Sequence, residues 1–200
     1  MRGAFVLMVA SAAVASGQSP ELPPDRYGVR AEFTLYPQTT SRQAVASLAA
    51  LIERKKFEYL TAQVLDPAVV DARVAQRSSA LLPGVEKQLE GVRSQQRLKP
   101  AGVDAEFRVP DDAKRFAELA REKADVIAFK EVVTDVQAQL GEYPENLAFF
   151  RKLAKDGDFA DAATESVASV KTDPERKLFL KKDGPRWVVE DRKTDVEKKK

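Results

Sequence analysis

The chain has 200 residues, with 33 Lys+Arg against 31 Asp+Glu for a formal charge of +2, and it contains neither cysteine nor histidine. The near balance of charge argues against a nucleic-acid partner. The missing residue types exclude disulfides, zinc sites built on Cys or His, and any triad or proton relay that uses imidazole.

Residues 1–17 carry one early cation, Arg2, then an apolar run that ends in the small-residue sites Ala13-Val14-Ala15 and Ala15-Ser16-Gly17. The run lacks the polar positions that a core helix shows at period 3.6, and it has the pattern of a secretory signal peptide, too short to span a membrane. The expectation is an exported bacterial protein, periplasmic or secreted after cleavage, with no transmembrane segment left. Residues 18–39 read as a linker and extended segment. The first part is Pro-rich and polar, and then Val29, Ala31, Phe33 and Leu35 alternate with polar residues until Pro37, as an edge strand or as a segment lying across a sheet.

Residues 40–192 read as one α+β domain. Thr40 and Gln43 form a capping box, followed by the stripe Val45, Leu48, Ala49 and Ile52, with apolar positions resuming at Phe57, Leu60 and Val64. Asp66 as N-cap and Pro67 at the first helical position start the next helix, through Val69, Val70 and Val74. Pro83-Gly84 predicts a break, and Val85, Leu89 and Val92 a narrow stripe on a solvated helix beyond it. Residues 103–109 alternate between Pro and Gly brackets and read as extended loop. Asp111 or Asp112 caps a long helix whose apolar face shifts between Phe116, Leu119, Ala120 and Phe129, Val133, Val136, Leu140, which predicts a bend over 123–126. Gly141 closes it. Pro144 opens a shorter helix with Leu147, Phe150 and Leu153 inward, and Gly157 ends that one.

The β pattern lies in residues 162–192. A first strand covers 164–170, with Val167 and Val170 out of strict alternation, and residues 172–175 have turn composition. Two further strands, 176–182 and 186–191, flank Asp183-Gly184. Pro185 has no N–H, so the expected connection is a four-residue loop from Lys182 to Pro185, with Leu180 facing Trp187, Leu178 facing Val189 and Phe179 facing Val188. Leu178, Leu180, Trp187 and Val189 then share the core face, Trp187 as its anchor. Residues 193–200 read as a disordered charged tail. Lys198, Lys199 and Lys200 are a solvated end, with weak contact to an anionic surface as the sharper alternative.

The order of these pieces carries a resemblance. The step Lys55, Phe57, Glu58, Tyr59, Leu60, then Leu65-Asp66-Pro67, and much later the run Lys177 to Trp187 (KLFLKKDGPRW), is similar to small exported bacterial proteins of unknown function with the plan of the NTF2-like α+β fold. That resemblance implies helices packed on a small C-terminal antiparallel sheet of three to four strands, as a full or truncated cone with a pocket between the layers.

No motif points to a cofactor. Asp156, Asp158 and Asp161 imitate a calcium loop, but Ala160, Asp161 and Val167 stand where a ligand, a Gly and the closing Glu belong, so the expectation is no metal and a solvated helix-to-strand turn. The pocket candidates are Glu165, as a desolvated general base, and Tyr59, as a hydrogen-bond donor. The blander reading is an outward glutamate and a tyrosine packed by its ring. A noncatalytic binding or interaction module therefore leads, and a small-molecule enzyme or carrier using an NTF2-like pocket with a buried carboxylate is the alternative.

Overall fold

Helix starts are where short-range chemistry decides most, and the computed structural model, which describes residues 25–98 and 108–190, places them at the expected caps. The secretory pattern in 1–17, most of the loop at 103–109 and the tail with Lys198, Lys199 and Lys200 lie outside the described residues. Thr40 accepts the Gln43 N–H and opens α1 (Ser41–Glu53), while the Gln43 side chain bonds Thr39. Lys55, in the left-handed region at φ 55°, reverses the chain into α2 (Phe57–Tyr59), which widens into a π-helical turn at Leu60–Val64. Asp66 accepts the Ala68 N–H and starts α3 (Pro67–Leu98). Asp112 accepts the Arg115 N–H and starts α4 (Ala113–Gly141), and Pro144 opens α5 (Pro144–Asp156).

α3 contradicts the expected break at Pro83-Gly84: it continues through both residues for 32 residues. Proline removes the bond to the carbonyl four residues back, but that carbonyl belongs to Ser79, and Ser79 and Pro83 are both exposed. An exposed carbonyl there is open to solvent, and packing carries the helix through. Val70 and Val74 lie against Ala128, Phe129 and Val132 of α4, and Val85 and Leu89 lie against Ala120 and Ala124, so the two long helices run antiparallel. Ala120, Ala124 and Ala128 recur every four residues and are wholly buried, a small-residue seam along α3. Val92, expected on the stripe, is exposed.

After the helices comes a four-stranded antiparallel meander: β1 (Asp158–Asp161), β2 (Glu165–Val170), β3 (Asp173–Asp183) and β4 (Arg186–Val189). The domain is thus α+β. β1 corrects the expected turn over residues 156–161. An acid-rich edge strand hides its pattern, since charge on an edge discourages further pairing. Only Phe159 is half-buried, with the Arg42 guanidinium 4.6 Å from its ring centre. The register of β2 on β3 slips between Ser169 and Val170, the irregularity that the spacing of Val167 and Val170 suggested. β3 begins at Asp173, three residues earlier than expected, so the turn contracts to Lys171-Thr172.

The hairpin also differs. Leu180 pairs with Val189, Lys182 with Trp187 and Asp183 with Arg186, two residues out of the expected register, around a two-residue loop of Gly184 and Pro185. Gly184 at φ 60° followed by Pro fits a type II′ turn, where neither loop residue has to donate across the strands. Because the slip is even, every side chain keeps its face. Trp187, 7% exposed, lies with Leu180 and Val189 in one core with Val45, Leu48 and Ile52 of α1 and Phe149, Phe150 and Leu153 of α5.

All four residues of β4 are buried, because its outer edge is covered. The Trp187 N–H donates to the Gln38 carbonyl (2.8 Å), and the Gln38 side-chain amide, assigned the orientation that satisfies its neighbours, donates back to the Trp187 carbonyl (3.2 Å) and to that of Gln63 (3.1 Å). Further along, the Asp66 N–H donates to the Val189 carbonyl (2.8 Å). Two segments from before the sheet thus satisfy an edge that would otherwise invite pairing with another chain.

Candidate functional site

Between the sheet and the helices lies a cavity of about 160 Å³. Its walls are apolar: Leu48 from α1, Val70 from α3, Val132 and Val136 from α4, Phe150 from α5, and Leu178 with Val189 from the sheet. Polar groups stand among its lining at Asp66, Arg73, Gln139 and Glu190. The space lies where α1, α3, α4, α5 and the sheet converge. Trp187 does not line it.

The acid nearest to a catalytic description is Asp66, which is buried. Both of its oxygens are committed: Oδ1 accepts the Ala68 N–H at 3.0 Å as the cap of α3, and Oδ2 takes Lys181 Nζ at 2.7 Å. A carboxylate that holds a helix start and an ion pair together has both oxygens given to structural bonds. Arg73 and Glu190 are likewise engaged in interactions of their own.

The two sequence candidates are not brought together here. Glu165 is exposed at the start of β2, paired across the strands with Lys181, and belongs to the face opposite Ser166, Ala168 and Val170, which are the buried residues of that strand. Tyr59 is buried, but it lines a different space, an open cleft of about 640 Å³ that also includes Tyr36, Glu32, Lys55 and Glu58. Its hydroxyl accepts the Glu32 N–H at 2.9 Å, and its ring lies 4.8 Å from that of Tyr36. Burial raises the Tyr59 phenol above its ordinary value, with the Glu32 N–H working against that rise. This tyrosine ties residues 25–39 to the body of the domain. The cleft around it carries exposed charges of both signs, so a ligand there would exchange well-solvated groups for little apolar contact.

Tyr27 does a similar job. Its ring stacks on Phe129 at 4.4 Å, and its hydroxyl donates to Asp71 at 2.7 Å, where Arg26 also binds. Burial first, then that hydrogen bond, push its phenol upward.

Among the described residues no cluster of three or more Asp or Glu could hold a metal ion, and no helix is long and apolar enough to cross a membrane. Asp161, from the failed calcium template, accepts the Ser41 hydroxyl at 2.7 Å. The cavity residues could be read from the sequence as apolar helix and strand positions, but nothing local signals that they would leave a gap. No protein-family model, no curated protein and no solved structure matches this chain.

Proposed function

We propose that this chain is an exported, noncatalytic binding module of NTF2-like plan that holds a small molecule between its sheet and its helices. One observation carries the reading: an apolar cavity of about 160 Å³ whose most buried acidic residue, Asp66, has both oxygens engaged in structural bonds. Pockets of this kind, apolar with a few fixed polar groups, are the usual form of small-molecule sites. The order of elements, helices first and then a C-terminal meander, supports the NTF2-like plan. Arg2 and the apolar run after it support export.

The binding reading is tested by titrating the full chain, labelled with nitrogen-15, against a mixed panel of neutral, charged and long-chain small molecules. At least one member should shift the amides of Val70, Val132 and Val189 and be recovered chemically unchanged. A panel that moves none of these amides, or turnover of a bound member, defeats the proposal. Export is tested separately by intact mass: soluble protein from a host with signal peptidase should have lost its first 15 to 17 residues, and retention of Met1 counts against it.

A further inference from the structure

Resting on that binding reading, we propose that the cavity takes a neutral molecule between benzene and indole in size, aromatic or compactly branched, carrying a single hydrogen-bonding group. Size comes first. A cavity of about 150 Å³ lined by aliphatic and aromatic side chains is known to hold benzene, and the space between Leu48, Val132, Phe150 and Val189 is about 160 Å³. A long acyl chain does not fit such a volume. Most of the walls reward apolar contact, so the body of the ligand is a hydrocarbon ring or branch.

Charge comes second. The ionisable groups in the lining are Asp66, Arg73 and Glu190. Asp66 is paired with Lys181 at 2.7 Å, and Arg73 and Glu190 are already engaged. An ionic ligand would therefore lose its hydration among mostly apolar walls, with Asp66 already paired to Lys181, a heavy cost for a group moved out of water. Gln139 is the lining residue that is exposed, uncharged and polar, and its side-chain amide offers both a donor and an acceptor. One hydroxyl or ring N–H on the ligand, pointing outward, is what this amide can meet.

The test uses the full labelled chain with six named probes: phenol, indole and benzene, benzoate and benzylamine as charged relatives of the same size, and dodecanoate as the long chain. Phenol and indole should shift the amides of Val70, Val132 and Val189 and saturate, with benzoate and benzylamine weaker by about tenfold or more. Dodecanoate should leave those amides unmoved. Val69→Phe, at a half-buried wall position, should fold and weaken phenol by about tenfold or more. Gln139→Ala, at an exposed position, should weaken phenol by about two- to tenfold and leave benzene unchanged, and it decides the matter if Val69→Phe does not fold. Dodecanoate bound and phenol not, or charged and neutral rings bound equally, overturns the ligand class while the binding function stands. Phenol binding that both variants leave intact places the ligand elsewhere and overturns this proposal. If no probe binds, while the wider panel finds some other ligand, the class alone falls; if that panel is also silent, both fall.

Discussion

Arg186 Nη1 donates to both the main-chain and the side-chain oxygen of Gln63, each at 3.0 Å, and so joins the last strand to the π-helical turn 123 residues earlier. Its other nitrogens hold Asp183 across the hairpin at 2.9 and 3.2 Å. The arginine is almost fully buried and Gln63 wholly so. A buried guanidinium is tolerable only while its donors are satisfied.

Gln63→Leu keeps the size but removes an acceptor from Arg186, along with the amide nitrogen that donates to the Val29 carbonyl at 2.8 Å. We expect a loss of roughly 1–3 kcal/mol in urea unfolding, the cost of leaving buried polar groups unpaired. Arg186→Lys should also destabilise, since an ammonium cannot reproduce the fork between Gln63 and Asp183. Wild-type stability in both variants would mean that the network contributes nothing net.

Glycines on the two long helices give opposite expectations. A Cβ at Gly141 would stand 2.5 Å from Phe57 Cζ, deep in a ring that is itself buried, so Gly141→Ala should cost about 1–3 kcal/mol through forced repacking. Gly84 on α3 has nothing within 4 Å of the same position, and Gly84→Ala should stabilise by about 0.5–1 kcal/mol through lower backbone entropy in the unfolded chain. Thermal melts of the two variants should move in opposite directions. A shift of the same sign in both would refute the close packing of α2 on the end of α4.

Local chemistry made the caps at Thr40, Asp66, Asp112 and Pro144 legible, because each depends on residues no more than a few positions apart. Where the sequence misled, a distant partner had decided. Pro83 is overruled by the contact of Val85 and Leu89 with the alanine seam of α4. β1 forms because β2 is there to pair with it, and its own Asp-Phe-Ala-Asp has little strand character. The hairpin kept its faces and lost its register, since loops differing by two residues put the same side chains inward. The covered outer edge of β4 depends on Gln38 and Asp66, which no reading of residues 186–189 could supply. The cavity lies furthest from local signals, being the space left among five elements.

High pH should weaken the fold through two phenols. Tyr27 and Tyr59 are both raised, chiefly by burial, above the ordinary value of about 10 that they regain on unfolding. Below pH 10 both states keep their protons and this contribution is fully present. As pH rises past 10 the unfolded chain ionises first, so the native state holds more protons and stability falls with pH until the folded phenols titrate. Urea midpoints between pH 8 and 11 should therefore decline above 10. The decline should be shallower in Tyr59→Phe, which itself starts lower because the Glu32 N–H has lost its acceptor. Tyrosine absorbance that titrates completely near pH 10 in the folded protein would contradict this.

Trp187 is the anchor of the core that joins α1, α5 and the sheet, and its indole is 7% exposed. Trp187→Ala removes the largest side chain in that cluster and should cost about 3–5 kcal/mol, a large share of the roughly 5–15 kcal/mol that hold an ordinary domain. The loss would surface as unfolding, because the ring does not line the cavity and its removal does not act on a ligand directly. As the only tryptophan it is also the natural probe. Native emission should be blue and shift red in denaturant, and the variant should melt at a markedly lower temperature. Red native emission, together with an unchanged melting temperature in Trp187→Ala, would mean that the ring faces water and that the packing of β4 on α1 described above is wrong.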